Sequence, residues 1–543
     1  MKKNKLFKIA PEVIPLRYGI GLCKKDLNRP WILIETAYGD VSPGTIHLEE
    51  LANFAKSGVF SKSAYPFLLH ISDICDGLIQ GTDKMSYSLI FRDLMAFLAY
   101  IHAKCGHFDG VIFIASCDKS IPAYLLALAK LNLPCIFLLG GVMEEELFTL
   151  EMVNKRGDPL WQEYSCFSYG ACPFLGTACT MQILVEVLGL ALPHSALTLA
   201  YSAKLKRIAR ETGEKAVFLV KNNITPSKIL NKESIKNAFI TLSAIEGSTN
   251  AILHLKALVD LLNIPISSSE IKKYFKTPVV LNLKPLGKYP ASYFWYAGGV
   301  PNLIYKLKEI LNLNVLTITG KTIWENLEEL KEDGFFRKIQ FFMKKINLNE
   351  SEIIRDLDKP FKKRSGLYIL EGNLANFAVA KVSKFIEKIE GKAKVFDTQE
   401  DLISSLKKNK LKSTDIIILR YQGFKASGMP ELYYISEMIF EKLRDAIFIT
   451  DGRFSGATRG FCIGHILPEA FDLGNIALVE NDDIIQVDLN KESIDIIGIK
   501  GEKMEDKKIS EILKERKRKI KLNQRGYFTK FHEFIKEVFK NEK

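Results

Sequence analysis

Three side chains of different chemistry stand in a row at positions 117–119: the thiol of Cys117, the carboxylate of Asp118 and the amine of Lys119. Residues 111–115 before them are β-branched, aromatic or small and carry no charge, which predicts a buried strand. Ser120 and Pro122 then open a helix, and residues 123–130 continue at helical spacing. A further apolar run at 134–140 completes a β-α-β unit. Ligands of such units gather at the carboxyl ends of strands, beside helix N-termini that favour anions. The triple therefore sits where an active-site floor belongs.

Other residues could join it. Cys166, Cys172 and Cys179 fall within fourteen residues, among small side chains and ahead of a helix. That spacing suits soft ligation of iron or zinc, and equally the burial of small thiols at a helix start. Asp76-Gly77 reads locally as a turn. Ser248, Thr249 and Asn250 form a helix start that can cap or bind an anion. Glu431 closes a loop that begins at Gly423, and is a possible hard-cation ligand. Ser455 lies between glycine-containing turns, where a hydroxyl can be exposed and activated or merely turn the chain. Among eight histidines His465 has the best context, with a structural role the simpler reading. No Gly-rich phosphate loop, zinc-finger spacing or Ser/His/Asp set is present.

The elements that must position these groups divide the chain. Residues 1–345 alternate apolar runs with amphipathic helices, the pattern of an α/β domain. The charged stretch 332–364 reads as helical, with 346–364 a connector. Short strands then crowd together at 367–370, 393–396, 415–420, 446–450, 476–479, 484–488 and 494–497, predicting a smaller β-barrel-like domain over 365–500. Residues 501–543 form a charged helical tail.

At 543 residues the chain needs more than one core. Hydrophobic and charged fractions of 47% and 26% are those of a globular protein, and no apolar stretch reaches the length of a membrane span. The N-terminus lacks a secretory signal's apolar core, so a cytoplasmic location is expected. The formal charge of +13 comes from dispersed lysines that thicken at 514–521, which reads as a solvated surface and not a nucleic-acid site. Nine cysteines without regular spacing do not form a disulfide framework. Cys23, Cys105, Cys135 and Cys462 lie in apolar runs and read as packing residues.

Taken together and in order, the segments resemble the dihydroxy-acid dehydratase and sugar-acid dehydratase family. The resemblance runs from Asn28 to Phe528 and rests on separated motifs, among them 117–119, 170–172, 247–250, 297–299, 319–322, 372–374, 428–431, 451–456 and 468–470. It implies a magnesium site built from Asp76, Asp118, Glu431 and Lys119, the lysine as a carbamate whose oxygen suits a hard ion. It implies an iron–sulfur cluster, 2Fe–2S or 4Fe–4S, on Cys117 and Cys172, and Ser455 as the base. The implied fold is an α/β domain with a swivelling barrel-like domain, usually in a homodimer. The implied activity is removal of water from a 2,3-dihydroxy acid of branched-chain amino-acid synthesis. The alternatives are an aldonic acid as substrate, or a non-catalytic relative that keeps the fold. The implied partner is a small hydroxy acid, with neither nucleic acid nor membrane.

Three positions depart from the family pattern. Many relatives carry a third cluster cysteine in a Pro-Cys-Asn segment, where this chain has Pro43-Gly44. Cys166 is the replacement the resemblance favours, with Cys75 and Cys179 as alternatives. Glu246 replaces a glycine and brings a negative charge towards a carboxylate-binding loop. The 423–431 loop is one residue short and has Phe424 where a proline is usual.

Overall fold

The computed structural model describes residues 3–147, 152, 157–520 and 527–538. Its first sheet is parallel, with order β2-β1-β3-β4: β1 Trp31–Thr36, β2 Tyr65–His70, β3 Gly110–Ala115 and β4 Cys135–Leu139. β1, β3 and β4 are buried along their whole length, as strands covered on both faces must be. The chain leaves β1 towards β2 and then crosses back to pair β3 with β1, Leu33 opposite Val111. That reversal opens a crevice beyond the carboxyl ends of β1 and β3. The helix Ser120–Leu131 follows β3 and stops at Asn132, which adopts the left-handed conformation at φ 49°.

The second sheet has nine strands in the order β13-β12-β11-β7-β8-β9-β10-β6-β5, a mixed sheet curled into a half-barrel. In chain order these are β5 Leu367–Leu370, β6 Phe377–Val382, β7 Lys388–Phe396, β8 Ile416–Leu419, β9 Ile447–Thr450, β10 Phe461–Leu467, β11 Ile484–Asp488, β12 Ser493–Ile499 and β13 Glu502–Lys503. β7 to β10 run parallel, and the loops after β8 and β9 leave from their carboxyl ends. The protein thus has two domains, each with a core of its own. Helices Asp506–Lys519 and Tyr527–Val538 end the described chain; Lys521 of the basic run and Arg525 and Gly526 of the last motif lie outside the described residues. Among the described residues no helix is long and apolar enough to cross a membrane.

Several expectations need correction. Residues 476–479 are not a strand: Asn475–Leu478 is a 3-10 turn entered from Leu473 in the left-handed region, and a four-residue buried apolar run looks the same in either state. The 346–364 connector holds only the 3-10 turn Glu350–Glu352; Ile354 and Lys362 instead bridge to Leu281 and Val279. β6 and β10 escape the reading because alanines, Lys381 and Gly464 break their apolar alternation. Cys135 and Cys462 are core residues, but Cys23 and Cys105 are exposed.

Candidate active site

Asp76 opens a short helical turn, Asp76–Ile79, after β2; Asp118 follows β3; Glu431 ends the loop after β8. Each offers a carboxylate oxygen, and these oxygens all lie within 4.8 Å of one another. Lys119 is fully buried between two of them, its Nζ donating to Asp76 Oδ2 and Asp118 Oδ2 at 2.7 Å each. Arg453, from the loop after β9, is equally buried and spans the domains, donating to Glu431 Oε2 at 2.8 Å and Asp76 Oδ2 at 3.2 Å. Ser88 donates to Asp76 Oδ1 at 2.6 Å, Gln80 to Glu431 Oε1 at 3.1 Å, and Asn250 Nδ2 to Glu431 Oε2 at 2.8 Å. The β8 and β9 loops run side by side here, with Leu432 N–H bonded to the Arg453 carbonyl.

Three carboxylates against two cations leave the cluster one negative charge in excess. Burial would raise Asp76, but Lys119 and Arg453 outweigh it and hold the carboxyl well below the usual range. Asp118 is pushed up to about 6, by burial first and then by the charge of Asp76. Burial opposes the charge on Lys119, yet its two carboxylates raise its pKa above the ordinary value. Hard oxygen donors, nearly all buried and short of positive charge, fit a divalent cation such as magnesium.

The thiols lie on the same side. Cys117 lies two residues beyond β3, beside Asp118, and is buried; Cys172 keeps exposed surface but its sulfur is turned inward. Burial raises both thiols well above the ordinary value, Cys75 and Asp118 raise each further, and Cys172 adds to the rise at Cys117. The Pro43 carbonyl accepts from Gly170 N–H, so the 43–44 turn touches the Cys172 loop. A Cβ on Gly44 would overlap the Cys117 sulfur. Clustered neutral thiols of this kind fit a soft metal centre that would hold them as thiolates. Cys179 is buried with its sulfur on the Cys172 carbonyl, and Cys166 is exposed.

Ser455 is half-buried, and its Oγ accepts from Ala457 N–H at 3.3 Å. The next residue, Gly456, packs against Gly176 and Ser248 of the other domain. From there Ser248 Oγ pairs with Thr177 Oγ1 at 2.8 Å, and Asn250 Nδ2 reaches Thr177 Oγ1 at 3.1 Å and Glu431. Helices Thr177–Val187 and Asn250–Leu261 therefore begin at one place, presenting two positive dipole ends.

The residues of this site match a family. Residues 29–326 match the dihydroxy-acid/6-phosphogluconate dehydratase N-terminal family model, and residues 352–540 match its C-terminal counterpart. The chain belongs to this dehydratase family. It is 35% identical to the dihydroxy-acid dehydratase of Methanosarcina barkeri over 93% of this chain and 94% of the relative. Its identity to the dihydroxy-acid dehydratase of Caldanaerobacter subterraneus is 34% over 95% and 94% of the two chains. The Pyrococcus furiosus protein of the same name is 35% identical over 88% and 89%.

The structure brings Asp76, Asp118, Lys119 and Glu431 together, and Cys117 near Cys172. Glu246 does not face the site: its carboxylate takes Lys362 Nζ at 2.6 Å and Gly366 N–H at 2.8 Å, tying the domains together. Phe424 fills the missing proline's place by packing its ring on His532 of the last helix. Arg453 and Lys381 escaped the sequence reading. Lys381 is buried and donates to the Gly456 carbonyl, and burial brings it down to about 8. Lys381 is a lone cation in an apolar run, and Arg453 lies within the 451–456 motif.

Proposed function

We propose that this chain is a hydro-lyase that converts a 2,3-dihydroxy carboxylic acid to its 2-oxo acid, in the branched-chain amino-acid pathway. It acts in the cytoplasm, as a homodimer whose second domain swivels on the first. The observation that carries this reading is the meeting of three carboxylates from two domains within 4.8 Å, in a chain of the dehydratase family.

Asp76, Asp118, Glu431 and Lys119 as its carbamate would hold magnesium, and Cys117 and Cys172 would hold an iron–sulfur cluster. When bound, the two centres supply Lewis-acid stabilisation, of enolate charge on the C1–C2 side and of the departing C3 oxygen. Ser455 Oγ removes the C2 proton. A serine is too weak a base unless its alkoxide is favoured, and the Ala457 N–H together with the Lys381 charge at the neighbouring carbonyl act in that direction. The paired starts of Thr177–Val187 and Asn250–Leu261 favour the substrate carboxylate, and the buried Thr249 Oγ1 and Asn250 Oδ1 have no partner among the described residues. Arg453 and Lys119 fill the floor and keep bulk water from it.

The test is turnover by anaerobically prepared protein on 2,3-dihydroxyisovalerate against gluconate and arabonate. Preferential dehydration of the branched acid is expected. A preference for a sugar acid, or no turnover of any, overturns the reading.

A further inference from the structure

The Glu431 carboxylate comes from a loop with little structure of its own, and this inference rests on the reading of Glu431 as a magnesium ligand. Between Gly423 and Glu431 the chain makes only the helical turn Phe424–Ser427, which stops at Gly428 in the left-handed region at φ 70°. Part of the loop is tied to its own domain. Glu469 takes the Phe424 and Lys425 N–H groups at 3.0 and 3.4 Å, and Arg453 Nε donates to the Met429 carbonyl at 2.9 Å. The last described helix, Tyr527–Val538, packs on the same turn.

That helix touches both domains. Phe528, Phe531, Ile535 and Val538 recur at helical spacing, so they share one face, and each is only partly exposed. Residues 352–540 match the C-terminal family model, so the helix belongs by sequence to the second domain. Yet it also packs on the helix Ser88–Cys105 of the first, where Phe534 lies edge-on to Phe97 with ring centres 6.3 Å apart. The Val538 carbonyl accepts from Lys130 Nζ at 2.6 Å, a cation at a helix carboxyl end, where the dipole favours one. Towards the second domain, the buried Thr529 donates to the Lys425 carbonyl at 3.2 Å, and the His532 and Phe424 ring centres are 5.5 Å apart.

The two sets of contacts meet at Phe528. Its ring centre lies 6.0 Å from that of Tyr87 in the first domain, and a Cβ on Gly428 would come within 2.9 Å of its ring. The same Cβ would overlap the Ser86 carbonyl. Ser86, Gly428 and Phe528 therefore close on one point from three segments. Ser88, two residues from Ser86, donates to Asp76 at 2.6 Å, and Glu431 is three residues from Gly428. Three residues span at most about 11 Å, so a shift at this point reaches carboxylates of both domains.

We propose that the helix Tyr527–Val538 is a clasp across the domain seam and that Phe528 is a positioning residue. Seated on Gly428 and Tyr87, it holds the Glu431 carboxylate in place against Asp76 and Asp118. Magnesium then meets a site already assembled, which spares the cost of ordering a loose loop.

The test uses the full chain as wild type, Phe528→Ala, Phe528→Leu, Thr529→Val and Glu431→Gln. Readouts are the dissociation constant for magnesium chloride, by calorimetry in bicarbonate buffer, and amide hydrogen exchange of the metal-free proteins. Phe528→Ala should weaken magnesium binding by roughly tenfold or more, as loss of a group that orients a metal ligand does. Its exchange should quicken at 424–431 and 84–88 while the strands of both cores keep wild-type rates. Phe528→Leu restores much of the apolar bulk and should recover most of the affinity. Thr529→Val removes only the bond to the Lys425 carbonyl, should move both readouts in the same direction by less, and decides if Phe528→Ala does not fold. Wild-type affinity and exchange in these variants overturn the proposal, as does faster exchange spread through both cores, the mark of a general stabiliser. If Glu431→Gln binds magnesium as wild type does, or wild type binds none, the ligand reading falls, and exchange at 424–431 still decides the clasp.

Discussion

Arg453 has no exposed surface, yet it holds a carboxylate of each domain, the hydroxyl of Ser88 at 3.0 Å and the Met429 carbonyl at 2.9 Å. A planar fork can serve these acceptors at once, which a lysine ammonium cannot. Removing the guanidinium would leave Asp76 and Glu431 buried beside fewer cations, and breaking such pairs costs about 3–5 kcal/mol. Arg453→Met should lower the stability of the metal-free protein by that amount, measured by urea unfolding. Added magnesium should recover part of the loss, because a bound cation faces the same carboxylates. Equal stability of variant and wild type in chelator would count against the network. Much of this network was out of reach of the sequence. Arg453 stood in plain view in the 451–456 motif, but the need for a cation there arises only once two carboxylates are known to converge on it.

Among the elements, the strand ends were the legible part. The uncharged run at 111–115, followed by Cys117, gave the strand and the helix start after it, because a buried parallel strand and its helix start are local signals. Locality also explains the failures, since 476–479 has a strand's composition but packs as a turn. The loops after β8 and β9 are set by buried carboxylates that no periodicity reveals. Asp451 accepts from Gln422 N–H and Ala470 N–H at 2.8 and 2.9 Å, and Glu469 accepts from Phe424 N–H at 3.0 Å. Burial, with the Asp451 charge adding to it, raises Glu469 from 4.5 to about 7 against the pull of those amides. A folded-state pKa above the unfolded one means the native protein holds the proton more tightly. The resulting stability is complete below pH 4.5 and is lost as pH rises through about 7. The loss is on the order of 3 kcal/mol. Glu469→Gln carries no such titration, so its stability relative to wild type should improve by that amount between acid and neutral pH. Urea midpoints at the two pH values check this, and a constant difference would mean that Glu469 titrates normally.

At the scale of the molecule, the site exists only where two parallel sheet edges face each other. Asp76 and Asp118 come from one edge, Glu431 and Arg453 from the other, and Gln80 and Glu431, 351 positions apart, share a hydrogen bond. The approach is close: Gly428 has φ +70°, and any Cβ there would overlap the Ser86 carbonyl of the first domain. A cation held by both edges binds the folded, closed protein and not the unfolded chain. By mass action it should stabilise the fold by about 2.7 kcal/mol at a hundred times its dissociation constant. Magnesium should therefore raise the unfolding temperature in proportion to the logarithm of its concentration, while calorimetry records one joint transition. Glu431→Gln removes only the second domain's carboxylate, and Asp118→Asn only one of the first domain's. If the ion spans the interface, either variant abolishes the magnesium-dependent rise, although each leaves the other domain's ligands intact. If it were held by the first domain alone, Glu431→Gln would keep the full rise and only Asp118→Asn would lose it. The two variants thus decide whether the interdomain meeting of carboxylates is a binding site or only a buried ion-pair network.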